Sequence, residues 1–306
     1  MLISESVKMF ARHCIANGLK KRTVEEYMRI TETWLAYTQK QNIERIEDVK
    51  GDLLQDYFIF LRGKEYSPYT LRGNWITLNV FFNFLTEHGI LLGNPLKRAV
   101  KKPVLPKEKA RTFKTAEILS ILNHYDKTDF CGMRNFTIMA VFYGTGIRRS
   151  ELLNLMVYDI DMDARLLVVT GKGDKMREIP ISPRLARILK QYIAMRQTLL
   201  VKRKSDCSYL FVSNHGNRLS QDGLKQVFRN LKDDLNIEGR RVSPHTWRHS
   251  FARNFLVNGG NVFTLQKILG HSDIATTQVY ITWTEDEVRP QVDKFSPLEN
   301  RNWSYF

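Results

Sequence analysis

Between Pro244 and Tyr280 the chain carries, in order, His245 and Arg248 three residues apart, the pair Gly270-His271, and Tyr280 nine residues beyond that histidine. Ser243 can cap a helix and Pro244 can take its first position, so the sequence predicts a helix starting here, with His245 and Arg248 on one face. A helix start presents free N–H groups, and beside a histidine and an arginine it suits a bound phosphate, because dipole, donors and charge all favour an anion. His245 and His249 also stand at i, i+4, the spacing of a zinc-binding helix, but Thr246 occupies the place where that motif needs glutamate, so no metal site is expected. Upstream, Arg148 in TGIRRSEL is placed at a helix start that follows a buried element, where it can point into a cleft. Arg149 and Glu151 read as surface residues. The segment GTGIRR lacks the last glycine of a dinucleotide fingerprint and follows no strand, which removes that reading. Lys172 falls at the tip of a Gly171-Lys172-Gly173-Asp174 turn.

The chain's bulk properties point to the same kind of partner. Its 306 residues suggest two domains, and 43% hydrophobic with 11% aromatic residues is enough for real cores. Formal charge is 47 − 32 = +15, which predicts a polyanionic partner, most simply nucleic acid. No stretch approaches the ~18 consecutive apolar residues of a spanning helix, and MLISESVKMF has neither the basic lead nor the apolar run of a secretory leader. Cys14, Cys131 and Cys207 are odd in number and far apart, as in a reducing, cytoplasmic setting without a disulfide framework.

The elements that must carry these groups are mainly helical. Apolar spacing predicts helices from Ser4 to Asn17, from a Thr23/Glu26 capping box to about Gln41, from Gly51 or Asp52 to Arg62, and from Ser67-Pro68 to Gly89. Phe58, Phe60, Trp75, Phe81, Phe82 and Phe84 are expected in the core of this four-helix module. Tyr66, Tyr69, Thr70, Arg72 and Asn74, polar side chains around a helix start, are candidates for DNA contact. The stretch Asn94 to Arg111 has three prolines and seven basic residues. It reads as an extended linker in which Lys97, Arg98, Lys101 and Lys102 can follow a phosphate backbone. Helices are expected from Thr115 and across the apolar run Asn135 to Tyr143. Strands are expected at Ile160 to Thr170 and Arg177 to Ile181, with a shorter one at Tyr209 to Val212, and further helices at Pro183 to Lys204 and Ser220 to Leu235. The boundaries are therefore a helical domain at 1–96, a basic linker at 97–111, and an α+β domain at 112–306 whose last part, 281–306, is a polar tail. The fold class is mainly α with a small antiparallel β-sheet.

Taken together, Arg148, Lys172, His245, Arg248, His271 and Tyr280 resemble in order and spacing the tyrosine recombinases, the phage-integrase and Xer-type site-specific DNA recombinases. The similarity covers Thr112 to Tyr280, and the helical first hundred residues look like that family's core-binding domain. The resemblance implies that Tyr280 attacks a DNA phosphodiester to form a 3′-phosphotyrosine and release a 5′-hydroxyl. It makes Arg148 and Arg248 the holders of the phosphate oxygens, His271 a further donor, His245 an aid to proton transfer, and Lys172 the acid for the departing 5′-oxygen. A tyrosine with a pKa near ~10 needs such help at neutral pH, and planar guanidinium suits charge developing on phosphate better than ammonium. Exchange of one phosphodiester for another implies no ATP, and arginines in place of a metal imply no cofactor. Also implied are a double-stranded recombination site, a homo-tetramer on two duplexes that exchanges C-terminal tails through anchors such as Trp283 and Val288, accessory DNA-bending proteins, and no membrane. The biological task would be integration or excision of a mobile element, or resolution of replicon dimers. Arg149 departs from the hydrophobic or small residue common there, and the absence of an arm-binding segment before the helical module points to the simpler two-domain members. A type IB topoisomerase shares this chemistry, and a DNA-binding architectural protein would share the charge. The compact helical domain and the Leu269-Gly270-His271 sequence favour recombination over the first, and a competent residue at every catalytic position argues against the second.

Overall fold

A computed structural model of the chain describes residues 1–106, 112–171, 174–238, 241–271 and Thr277. Its contacts divide into two compact units, Met1–Glu108 and Lys109–Phe306.

The first unit is built from α1 (Ile3–Ala16), α2 (Lys21–Lys40), α3 (Gly51–Gly63), α4 (Pro68–Glu87) and a short α5 (Pro95–Ala99). In α1, Ile3, Val7, Phe10 and Cys14 recur at helical spacing and are all buried. In α4 the same holds for Leu71, Leu78, Phe81, Phe82 and Leu85. Between them Trp34 and Tyr57, both fully buried, meet edge to face at 4.9 Å, a geometry that aromatic quadrupoles favour. Phe58, Phe81, Phe82 and Phe84 lie in this core, with Phe60 and Trp75 at its margin. Ser67 caps α4 by accepting from the Thr70 amide, with Pro68 at the first position.

Two local expectations fail here. The Thr23/Glu26 capping box does not open α2, which starts at Lys21 without a side-chain cap; Glu26 instead pairs with Arg29 one turn on, at 2.8 Å. The start of the proline-containing stretch is not extended. Asn94 accepts from the Leu96 amide, Pro95 takes the first helical position, and Leu96 is fully buried. The Trp75 indole donates to the Val100 carbonyl at 2.8 Å. A cap and one apolar anchor are enough to dock five residues as helix, leaving Lys97 and Arg98 exposed.

The second unit runs α6 (Thr115–His124), α7 (Phe130–Thr145), α8 (Arg149–Asn154), β1 (Ile160–Asp161), β2 (Leu166–Thr170), β3 (Met176–Pro180), α9 (Pro183–Arg203), α10 (Gln221–Asp234), α11 (Pro244–Val257) and α12 (Val262–Leu269). Its centre is α7, where Ile138, Met139, Val141 and Phe142 are all fully buried. A helix apolar all round is a core helix, and α7 packs on α9 and α11. The sheet is antiparallel in the order β1-β2-β3, with Leu167 opposite Ile179; Leu167, Val169 and Ile179 cover one face of the core. The single strand expected from Ile160 to Thr170 is broken by a turn. Asp161 accepts from the Ala164 amide at 2.7 Å and Arg165 takes φ 52, so β1 and β2 form a hairpin. Tyr209 and Val212 make only isolated bridges, to Met156 and Arg218, in place of the expected strand.

Candidate active site

Gly146 ends α7 in the left-handed region at φ 62, where a Cβ would lie 2.3 Å from the Phe251 ring. The chain can turn there only as glycine, and two residues later Arg148 stands at the cap position of α8. The Arg148 amide donates to Glu151 Oε2 at 2.7 Å and its guanidinium to Glu151 Oε1 at 2.8 Å. Glu151 is 3% exposed, so its expected place on the surface is overturned. Arg177 of β3 meets the same carboxylate with both Nη atoms at 2.9 Å. Burial pushes the Glu151 carboxyl up, but hydrogen bonds from Arg177 and from the Arg148 amide outweigh it and hold the pKa down at about 2. Two arginines therefore share one buried anion, which leaves a net positive centre.

Ser243 accepts from the Thr246 amide and Pro244 opens α11, as its sequence predicts. One turn on, Arg248 is 5% exposed. Its Nη1 donates to the Gly146 carbonyl at 2.6 Å and its Nη2 to the Leu269 carbonyl at 2.8 Å. These carbonyls end α7 and α12, the negative ends of two helices, each closed by a left-handed glycine. The same Nη2 lies 2.8 Å from His271 Nε2. Guanidinium has no acceptor, so Nε2 must accept and the ring proton sits on Nδ1, which donates to Thr277 Oγ1 at 2.9 Å. Burial, then Arg248, Arg148 and Arg177, push the His271 pKa down to about 4. Nε2 thus accepts from Arg248 here, while the expected role is donation to a phosphate. His245 sits in the first turn of α11. Its pKa is lowered by loss of solvent and by Arg149, Arg248, Arg241 and Arg148, so it is held as a neutral base at pH 7.

The fold thus gathers four of the six expected catalytic residues, Arg148, His245, Arg248 and His271, from three separated segments. Lys172 and Tyr280 lie outside the described residues, as does the tail at 281–306. Between β2 and β3 the Gly171 amide donates to the Lys175 carbonyl at 2.8 Å, and Thr277 is fully buried.

Sequence reasoning missed Glu151 as a buried anion and Arg177 altogether. The spacing of Arg148 and Glu151, cap to third helical position, was a usable signal. No local signal marks Arg177, whose partners are 26 and 91 residues away.

In the first unit Tyr69 is 53% exposed, Thr70 and Arg72 are half-buried, and Lys97, Arg98, Lys101 and Lys102 are exposed. Asn74 is a correction. It is 4% exposed, donates to the Thr70 carbonyl at 2.9 Å and accepts from the Tyr57 hydroxyl at 3.2 Å. Its amide is used inside the helical core. Among the described residues no helix is long and apolar enough to cross a membrane.

The comparisons with known proteins identify a tyrosine-type site-specific recombinase, and a cationic cluster on a helical fold with one small antiparallel sheet is consistent with that class. The sequence model of the phage integrase family matches residues 111–287. The tyrosine recombinase XerD of Lacticaseibacillus casei is 31% identical over 87% of this chain and 89% of its own. XerD of Listeria innocua is 27% identical over 92% of this chain and 95% of its own. The integrase of the Tn1549 transposon, solved in complex with transposon right-end DNA, shares the fold with a TM-score of 0.75 at 20% identity, covering 96% of this chain and 99% of that one. The chain belongs to the phage integrase family.

Proposed function

We propose that the protein cleaves and rejoins double-stranded DNA at specific sites through Tyr280, in the cytoplasm, for integration or excision of a mobile element or for resolution of replicon dimers. The observation that carries this is the Arg248 guanidinium, bound at once to His271 Nε2 and to the carbonyl of Gly146 in the turn that leads to Arg148. That arrangement favours an oxyanion held by Arg148, Arg248 and His271. Tyr280 Oη attacks the phosphorus and the P–O5′ bond breaks. His245, neutral at pH 7, takes part in moving the tyrosine proton, and Lys172 protonates the 5′-oxygen. The reverse attack by a 5′-hydroxyl from a second duplex restores the phosphodiester, so no nucleotide, metal or other cofactor enters. Four protomers on two duplexes would exchange their tails beyond Tyr280, with DNA-bending proteins as accessories. The exposed Tyr69, Lys97, Arg98, Lys101 and Lys102, with the half-buried Thr70 and Arg72, are assigned to DNA contact by the helical unit.

The test is to incubate wild type and Tyr280→Phe with DNA from the neighbourhood of the gene, without metal or ATP, on substrates nicked beside candidate sites. A denaturing gel is expected to show a covalent 3′ adduct for wild type alone. Tight binding without any adduct would overturn the proposal.

A further inference from the structure

The Arg177 side chain joins two supports of the site, the Glu151 carboxylate and the end of α12, yet among the described residues makes no hydrogen bond to the groups assigned to the reacting atoms. Its two Nη atoms grip the Glu151 carboxylate in a fork, and Nε donates to the Ile268 carbonyl at 2.7 Å. Glu151 holds Arg148, and Ile268 lies in the last turn of α12, three residues before His271. Gly270 makes room for this side chain: a Cβ there would stand 3.0 Å from Arg177 Cδ and 3.2 Å from Nε. A planar fork satisfied on all three nitrogens allows one orientation, whereas a buried ion pair adds little net stability over apolar packing. Geometry, more than stability, is therefore what this side chain supplies.

We propose that Arg177 is a positioning residue for strand cleavage: one guanidinium sets the Glu151 carboxylate that holds Arg148 and the α12 end that delivers His271. This rests on the assignment of Arg148 and His271 to the scissile phosphate. Its effect falls on the phosphate-holding side and not on protonation of the leaving group, because both of its partners lead to phosphate-holding residues.

The experiment compares full-length wild type, Arg177→Met, Arg177→Lys, Lys172→Ala and Tyr280→Phe. Each is assayed on a nicked DNA substrate and on the same DNA with sulfur replacing the bridging 5′-oxygen. As the Tyr280 Oη–P bond forms, the P–S bond then breaks and a thiolate leaves without needing a proton. Arg177→Met is expected to slow adduct formation about 100-fold on both substrates, since supporting partners of a site cost ~10–100-fold when lost. Arg177→Lys, which keeps the charge and one donor nitrogen but not the fork, is expected to recover about tenfold of that loss. DNA affinity and near-ultraviolet circular dichroism of Arg177→Lys should stay close to wild type, and sulfur should rescue Lys172→Ala alone. Normal cleavage by both Arg177 variants overturns the inference, as does their rescue by sulfur, which would place Arg177 on the leaving-group side. Loss of DNA binding or of the folded spectrum by Arg177→Lys in parallel with its activity also overturns it, in favour of a purely structural role. An adduct with Tyr280→Phe, or none with wild type, overturns the proposed function itself.

Discussion

Arg248 Nη2 and His271 Nε2 stand 2.8 Å apart, with the arginine donating and the histidine ring accepting. The contact exists only while His271 is neutral. A phosphate oxygen entering between them would take the arginine's donor and require the histidine to present a proton from Nε2, so binding of the anion is coupled to a change of tautomer or to protonation of His271.

That coupling has a sign in pH. The folded-state pKa of His271 lies near 4, below its ordinary 6.5, so the unfolded chain takes up the proton first as pH falls. Stability is fully present above about 6.5 and is lost progressively as pH drops toward 4. The Glu151 carboxyl, held at about 2 against 4.5, extends the loss from about 4.5 down toward 2. Thermal unfolding midpoints should therefore decline from pH 7 to pH 4, and His271→Asn should flatten the upper part of the curve. An equally steep curve in that variant would assign the effect elsewhere.

Removing the shared anion should cost more than removing a surface pair. Glu151→Ala leaves Arg177, whose side chain is 12% exposed, beside an unpaired Arg148, and breaking a buried pair in this way costs about 3 kcal/mol. Urea denaturation of wild type and variant measures it. A loss below about 1 kcal/mol would mean that solvent reaches the arginines easily.

Gly146→Ala tests the turn that presents Arg148. The new methyl would meet the Phe251 ring at 2.3 Å and Leu269 at 2.9 Å, at φ +62. Left-handed strain of about 1–2 kcal/mol and overpacking of about 1–3 kcal/mol together predict a loss near 3 kcal/mol. A variant as stable as wild type by the same denaturation would show that this corner has slack.

DNA affinity should fall steeply with salt. If Lys97, Arg98, Lys101 and Lys102 each neutralise a phosphate, replacing all four with alanine should flatten the log–log slope by about 3 to 4, at ~0.9 per contact on duplex DNA. Fluorescence anisotropy across a salt series reads this directly, and an unchanged slope would remove these residues from the DNA-binding surface.

By itself the sequence determined what depends on near neighbours. Ser67-Pro68 and Ser243-Pro244 mark helix starts because cap, ring and first turn lie within four residues of each other. Apolar spacing along α1 and α4 names the faces that pack, and the order of Arg148, Lys172, His245, Arg248, His271 and Tyr280 names the family. Burial and pairing were left to the tertiary structure, because they depend on partners remote in sequence. Glu151 reads as a surface residue until β3 brings Arg177 across 26 positions to neutralise it. Asn74 reads as a DNA ligand until α3 supplies the Tyr57 hydroxyl. The residues at 95–99 read as linker until Leu96 finds a core. His271 acquires its tautomer from an arginine 23 residues away, because which ring nitrogen holds the proton is decided by what faces it, and its lowered pKa from burial first and then from Arg248, Arg148 and Arg177.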